Sequence, residues 1–159
     1  MSALAHLADV VIGLEPLCLE DGEGDLKDRY GLRPPYQDEA LLAEIAGKLV
    51  AQYGLTAIAF TQREMEPTNT YQLKAYLYTE GHLYQSARQK IQALDRVGTG
   101  DAFTAGIIAG VLADKGPQEV LDIGMASFAY KHTIEGDSNV IGKADITAIL
   151  EQQSFEIKR

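Results

Sequence analysis

The 159 residues contain one cysteine, Cys18, which excludes an intramolecular disulfide and a cysteine-built zinc site. Basic residues are scarce, with 14 Lys and Arg against 23 Asp and Glu and a formal net charge of −9. Nucleic acid and anionic membrane both require clustered positive charge, so neither is an expected partner. No hydrophobic run reaches the ~20 residues of a bilayer span. The apolar stretch Met1 to Gly13 is interrupted by His6 and Asp9 and has neither a basic leader nor a small-residue cleavage site, so it does not read as a signal peptide. A lone thiol and no export signal fit a reducing cytoplasm as the expected location. Two glycine fingerprints are missing as well. Phe103 stands where a dinucleotide-binding motif starting at Gly98 needs its third glycine, and no Gly-Lys-Ser/Thr follows a glycine loop, which rules out a P-loop.

What is present suits one globular domain. Hydrophobic residues make up 46% of the chain, enough for a core, and the length fits a single domain. Strand and helix patterns alternate, which favours an α/β layered fold. Asp9 to Gly13 reads as a buried strand, and Glu20 to Tyr36 as an irregular connection. Asp38 is placed to cap a helix that Gly54 ends. Thr56 to Thr61 is a short apolar strand. Leu73 to Thr79 and His82 to Ser86 read as a hairpin turning at Glu80-Gly81, followed by a strand near Lys90 to Leu94. Helices are expected from Asp101 to Asp114, closed by Gly116, from Pro117 to His132, and from Ala144 to Gln152. His6 and His82 have no ligand spacing and read as structural.

Gly98-Thr-Gly-Asp101 falls between a strand and a helix of small residues. Glycines let backbone amides approach an anion closely, and a helix start presents unpaired N–H groups at a positive dipole end. Such a hollow suits a phosphate in transit, with an acid at its edge to take a proton from an attacking hydroxyl. Asp is also a favoured N-cap, so simple capping by Asp101 is an alternative reading of the same residues. Gly106 and Gly110 each cost the following helix about 1 kcal/mol relative to alanine, which points to close packing against a neighbour.

The longer run Asp95-Arg-Val-Gly-Thr-Gly-Asp-Ala-Phe103 resembles the signature Asp-x-x-Gly-Ala/Thr-Gly-Asp-Ala-Phe of the ribokinase/PfkB carbohydrate kinases. Tyr130-Lys-His-Thr-Ile-Glu-Gly-Asp-Ser-Asn139 resembles the 2-keto-3-deoxygluconate kinase branch of that family. The resemblance implies a ribokinase-like three-layer α/β fold, of which residues 1–159 would form a single partial domain, the C-terminal portion truncated at its N-terminal side. It implies an ATP-dependent kinase acting with Mg2+ on a sugar or sugar acid, 2-keto-3-deoxygluconate in particular. Asp101 would be the catalytic base, and Gly98, Thr99 and Gly100 the anion hole. Thr61, Gly124, Ser127 and Phe128 would contact the nucleotide. Asp95 and Val97, with Ile134 and Gly136, would surround a monovalent cation such as K+. Read without the family, Asp95 ends a strand, Thr61 is a strand residue, and Gly136-Asp137 is a turn. Lys131 and His132 are last-turn residues that complement the helix dipole.

Departures from the family pattern bound these expectations. The sugar-binding residues and most of the lid have no counterpart here, so the chain alone is expected to give no turnover. Leu14 and Leu17 stand where the family places Asn-x-x-Glu near the magnesium, with Glu15 and Glu20 as the nearby acids. A sheet lacking its first strands leaves apolar edges open, which predicts a homo-oligomer or pairing with an N-terminal kinase half. The competing expectation is a non-catalytic nucleotide-binding or assembly module that keeps the kinase fold.

Overall fold

The computed structural model describes residues 2–14, 17–19, 26, 30–31, 36, 38–67 and 69–156. Its elements are α1 (Ser2–Ala5), β1 (Val10–Ile12), α2 (Glu39–Tyr53), β2 (Ala57–Glu66), β3 (Thr70–Thr79), β4 (His82–Gln85), β5 (Gln89–Gln92), α3 (Thr99–Leu112), α4 (Pro117–Lys131) and α5 (Lys143–Glu156). The chain divides into two compact units. The expected irregular stretch from Glu20 to Tyr36 lies mostly outside the described residues. Among the described residues no helix is long and apolar enough to cross a membrane.

The first unit takes the chain up to Glu64 together with Ala75–Gln85. Its sheet runs β1-β2-β3-β4, with β1 parallel to β2 and β4 antiparallel to β3. Helix α2 follows its sequence signals at both ends. The Asp38 carboxylate accepts from Leu41 N–H at 2.9 Å, and Gly54 closes the helix in the left-handed region at φ 67°. Leu42, Ile45, Ala46 and Leu49 are buried with Ile58, Phe60 and Tyr76 in one apolar core. Within it Phe60 and Tyr76 stack, and Tyr36 meets both edge-on. Gln62 is buried as well, accepting from Tyr36 N–H and from the Tyr76 hydroxyl. The β3–β4 hairpin turns at Glu80 and Gly81, both at positive φ, as the sequence predicts.

The second unit comprises Met65–Lys74 and Ser86–Arg159. Here the start of β3 pairs antiparallel with β5, Tyr71 opposite Ile91. Helices α3 and α4 then pack as a pair. Both ends of α3 differ from the sequence expectation, and α5 runs on past Gln152 to Glu156. Helix α3 begins at Thr99, two residues before Asp101, because Gly98 at φ 71° turns the chain into it. It ends through Asp114 at φ 54° instead of Gly116. The N–H groups of Asp114 and Lys115 return to the carbonyls of Val111 and Gly110, the pattern that closes a helix over a left-handed residue. Gly116 serves α4, which Pro117 opens and Glu119 supports by accepting from Gly116 N–H at 3.4 Å.

Candidate functional site

Backbone geometry, without a capping side chain, builds the passage into α3. An L-residue at Gly98 would carry the left-handed cost of about 1–2 kcal/mol. Its Cβ would lie 3.0 Å from Asp137 Oδ1 and 3.2 Å from the Asp137 carbonyl oxygen. The Thr99 hydroxyl donates back to the Arg96 carbonyl at 3.0 Å, and Ala102 N–H starts the helical ladder on the Gly98 carbonyl at 2.9 Å. Between them, the N–H groups of Gly100 and Asp101 have no partner among the described residues. A Cβ on Gly100 would meet nothing within 4 Å, so the space before these amides is open. They sit at the positive end of α3.

Asp101 is exposed, and its carboxylate makes no hydrogen bond or ion pair among the described residues. It is not the cap of α3, since Gly98 holds that position and makes no side-chain cap bond. Among the described residues, the structure thus places an unengaged acid beside two unengaged amides on one helical turn.

Close packing behind this turn holds it in place. A Cβ on Gly106 would lie 2.8 Å from Gly124 Cα and 2.9 Å from the Ile123 carbonyl, and one on Gly110 would lie 3.0 Å from Val120 Cα. A Cβ on Gly124 would meet Ile107 at 2.7 Å and Phe103 at 3.1 Å. The helix glycines that disfavour α3 locally are therefore what bring its backbone against α4. Phe103 and Phe128 meet edge-on at 6.1 Å beneath them.

Asp95 ties the strand exit to the turn after α4. Its Oδ1 accepts from the N–H groups of Arg96 and Val97 at 2.6 and 3.1 Å. Its Oδ2 accepts from Gly136 N–H at 2.8 Å. The amides of Val97, Gly136 and Arg96 hold its carboxyl below the usual carboxylate range. Lys131 is fully buried, and its ammonium donates to the carbonyls of Gly136 at 2.6 Å and Ile134 at 3.3 Å. His132 is fully buried as well, with Nδ1 2.7 Å from the Phe128 carbonyl and its ring edge-on to Phe128. Complementing the helix dipole therefore describes only part of what these two residues do.

A cleft of about 510 Å3 lies along α3, bordered by Ala102, Ala105, Ala109 and Ser127 and, from the opposite side, by Ile141 and Ile146. Asn139 and Lys143 add polar groups to its wall. Asp101 to Ala109 covers about 12 Å along the helix at 1.5 Å per residue, so the cleft leads away from the acid and amides. Of the three α4 residues expected at a nucleotide, Ser127 borders the cleft. Gly124 and Phe128 instead pack against α3. The contribution of residues 139–147 was not found from sequence. Their only signal was their position after the Gly136-Asp137 turn.

The remaining expected residues lie in the first unit. Thr61 is within β2, not at its end, because the strand continues to Glu66. Leu14 and Leu17 are buried in the apolar core, at 0% and 3% exposure. Neither has a side-chain oxygen to offer a magnesium-bound water. Glu15 and Glu20 lie outside the described residues. His6 rests against Tyr53, and His82 Nδ1 sits 3.0 Å from the Glu80 carbonyl.

No protein-family model matches the chain, and no curated protein matches it significantly. Solved structures do. The 2-dehydro-3-deoxygluconokinase of Thermotoga maritima superposes with a TM-score of 0.78 at 25% identity, over 94% of this chain and 43% of the enzyme. A candidate 2-keto-3-deoxygluconate kinase of Enterococcus faecalis gives 0.75 at 27% identity, over 98% of this chain and 44% of that one. Phosphofructokinase-2 of Escherichia coli, solved with potassium, shares the fold alone, with a TM-score of 0.66 at 13% identity, over 96% of this chain and 44% of that one. The chain spans less than half the length of these kinases. It is an α/β portion of the ribokinase-like fold, and it is similar over nearly its whole length to 2-keto-3-deoxygluconate kinases and other PfkB/ribokinase family kinases.

Proposed function

We propose that the chain is the nucleotide-binding, catalytic-base portion of an ATP-dependent sugar kinase, acting on 2-keto-3-deoxygluconate when its sugar-binding part is supplied. The observation that carries this is the start of α3. Two amides and the Asp101 carboxylate, none with a partner among the described residues, lie together just before Ala102, where the cleft lining begins. The adenosine of ATP would occupy that cleft, with the γ-phosphate on the amides of Gly100 and Asp101. Asp101 would take the proton of the sugar hydroxyl as its oxygen bonds to the γ-phosphorus and the bond to the ADP oxygen breaks. The amides would stabilise charge on the transferring group, and in a loose transition state that contributes more than the strength of the base. Magnesium would neutralise phosphate charge. The side chains of Leu14 and Leu17 carry no oxygen, so neither would hold the ion or its water.

Sugar-binding side chains would come from the part of the kinase fold that these residues do not span, and the chain would self-associate or pair with an N-terminal half. An open edge supports such pairing. β1 ends the described sheet, and its Val10 and Ile12 are 36% and 38% exposed. We place this assembly in the cytoplasm, where a single thiol stays reduced. A monomer at micromolar concentration in size-exclusion chromatography would contradict self-association, and one that also ignores an added N-terminal half would contradict pairing.

The second reading is a nucleotide-binding module without catalysis, favoured by the two core leucines at the magnesium position. Titration calorimetry with Mg-ATP tests the shared part. Gly100→Val adds a side chain where the protein itself has space, so it should fold normally yet weaken ATP at least tenfold. Absence of wild-type binding at millimolar Mg-ATP refutes both readings. Turnover with an added N-terminal half, lost in Asp101→Asn, separates kinase from module.

A further inference from the structure

The oxygens expected around a monovalent cation are largely engaged by the chain itself. Lys131 is 0% exposed, and a buried ammonium requires acceptors for its protons. It has the carbonyls of Gly136 at 2.6 Å and Ile134 at 3.3 Å. Both oxygens of Asp95 accept backbone N–H groups, from Arg96 and Val97 on one side and Gly136 on the other. Potassium is held where carbonyl oxygens replace its water shell. Here two of those carbonyls already face a positive charge of the same magnitude. The residues present do not fit a bound K+.

We propose that the Lys131 ammonium stands in place of the monovalent cation, and that this chain neither binds nor requires potassium. Lys131 acts as a positioning residue. Its ammonium fixes the carbonyls of the 134–136 turn, and Asp137, the next residue, lies against Gly98 at the entrance to α3. Lys131 Cε itself would be 3.4 Å from a Cβ at Gly98. One side chain therefore supports both the turn and the start of the helix that bears the open amides. The inference rests on the kinase reading only for the identity of the cation replaced.

Thermal melting of the whole chain, in KCl and in choline chloride at equal ionic strength, tests this without nucleotide. An ion bound only by the folded state raises Tm as its concentration rises. Wild type should melt at the same temperature in both salts, to within about 1 °C. Lys131→Ala should melt several degrees lower in choline chloride and recover part of the loss in KCl, because its carbonyls are freed for an ion. A wild-type Tm that climbs with K+ overturns the proposal. So does a Lys131→Ala chain that melts lower and identically in both salts, which would make the lysine a packing element only. Should Lys131→Ala fail to fold, equilibrium dialysis of wild type against thallous ion, a K+ mimic, gives the answer. Retained thallium overturns the proposal, and none supports it. Mg-ATP binding, measured separately, can fail and remove the kinase reading while these melting results still stand.

Discussion

At the start of α2 the Asp38 side chain closes an amide of the first turn, whereas α3 starts on Gly98 and leaves the amides of Gly100 and Asp101 open. Both helices have an aspartate within reach of their N-termini. In α2 it sits at the cap, bonded and structural. In α3 it sits three residues further in, exposed and without a partner among the described residues. A chain arranged for stability alone would cap both, since the first-turn amides otherwise need water or a ligand. The departure from that rule at α3 is where a function is expected.

The contrast can be broken at its foundation by Gly106→Val. The new side chain would meet backbone of α4 that cannot yield, so the cost should exceed the usual 1–3 kcal/mol of overpacking. Loss of a cooperative urea transition checks it. Gly98→Ala adds the left-handed cost of about 1–2 kcal/mol to the contact with Asp137, and denaturant midpoints should report it. Asp38→Ala should lose about 1 kcal/mol while Mg-ATP affinity stays unchanged, which separates the closed helix start from the open one. Asp122→Asn, on α4, should have the smallest effect. Burial raises the Asp122 carboxyl above its ordinary value, aided by the Glu119 charge and opposed by the hydrogen bond from Gln118. The folded chain then holds that proton more tightly than the unfolded chain. Stability is highest below the unfolded value and falls as pH rises through the window up to the folded one. Wild type and variant should match in acid, and the variant should gain no more than about 0.5 kcal/mol at pH 7, because the group is only half-buried. Urea titrations at both pH values compare them.

Much of this was legible in the sequence, and the exceptions have physical causes. Helix α2, the Glu80-Gly81 hairpin and the close packing of α3 against a neighbour follow from caps, turn residues and helix glycines, all local signals. The motif at Asp95 to Phe103 marked the segment that carries the acid and the amides, although the Thr99 N–H expected in the hollow turns back to the Arg96 carbonyl. Misplaced details depended either on local backbone conformation that residue type does not fix or on contacts between elements. Asp114 replaced Gly116 at the end of α3 by taking the left-handed conformation itself, with its N–H on the Val111 carbonyl and that of Lys115 on the Gly110 carbonyl. Gly124 and Phe128 face α3 because Gly106 permits the approach. Lys131 is engaged by carbonyls that its helix position alone could not reveal. The cleft wall formed by residues 139–147 depends on how α5 returns, which no short motif encodes.

The connection between α3 and α4 runs only from Ala113 to Gly116. Consequently the contacts that position the open amides join residues near in sequence, Gly110 with Val120 and Gly106 with Gly124. Closing such short loops costs little chain entropy, and contacts of this kind form early. Pulse-labelled hydrogen exchange should find the amides of α3 and α4 protected before those of β1 and β2, whose parallel pairing spans a long connection. The scaffold of the candidate site would then be among the first structure a refolding chain acquires.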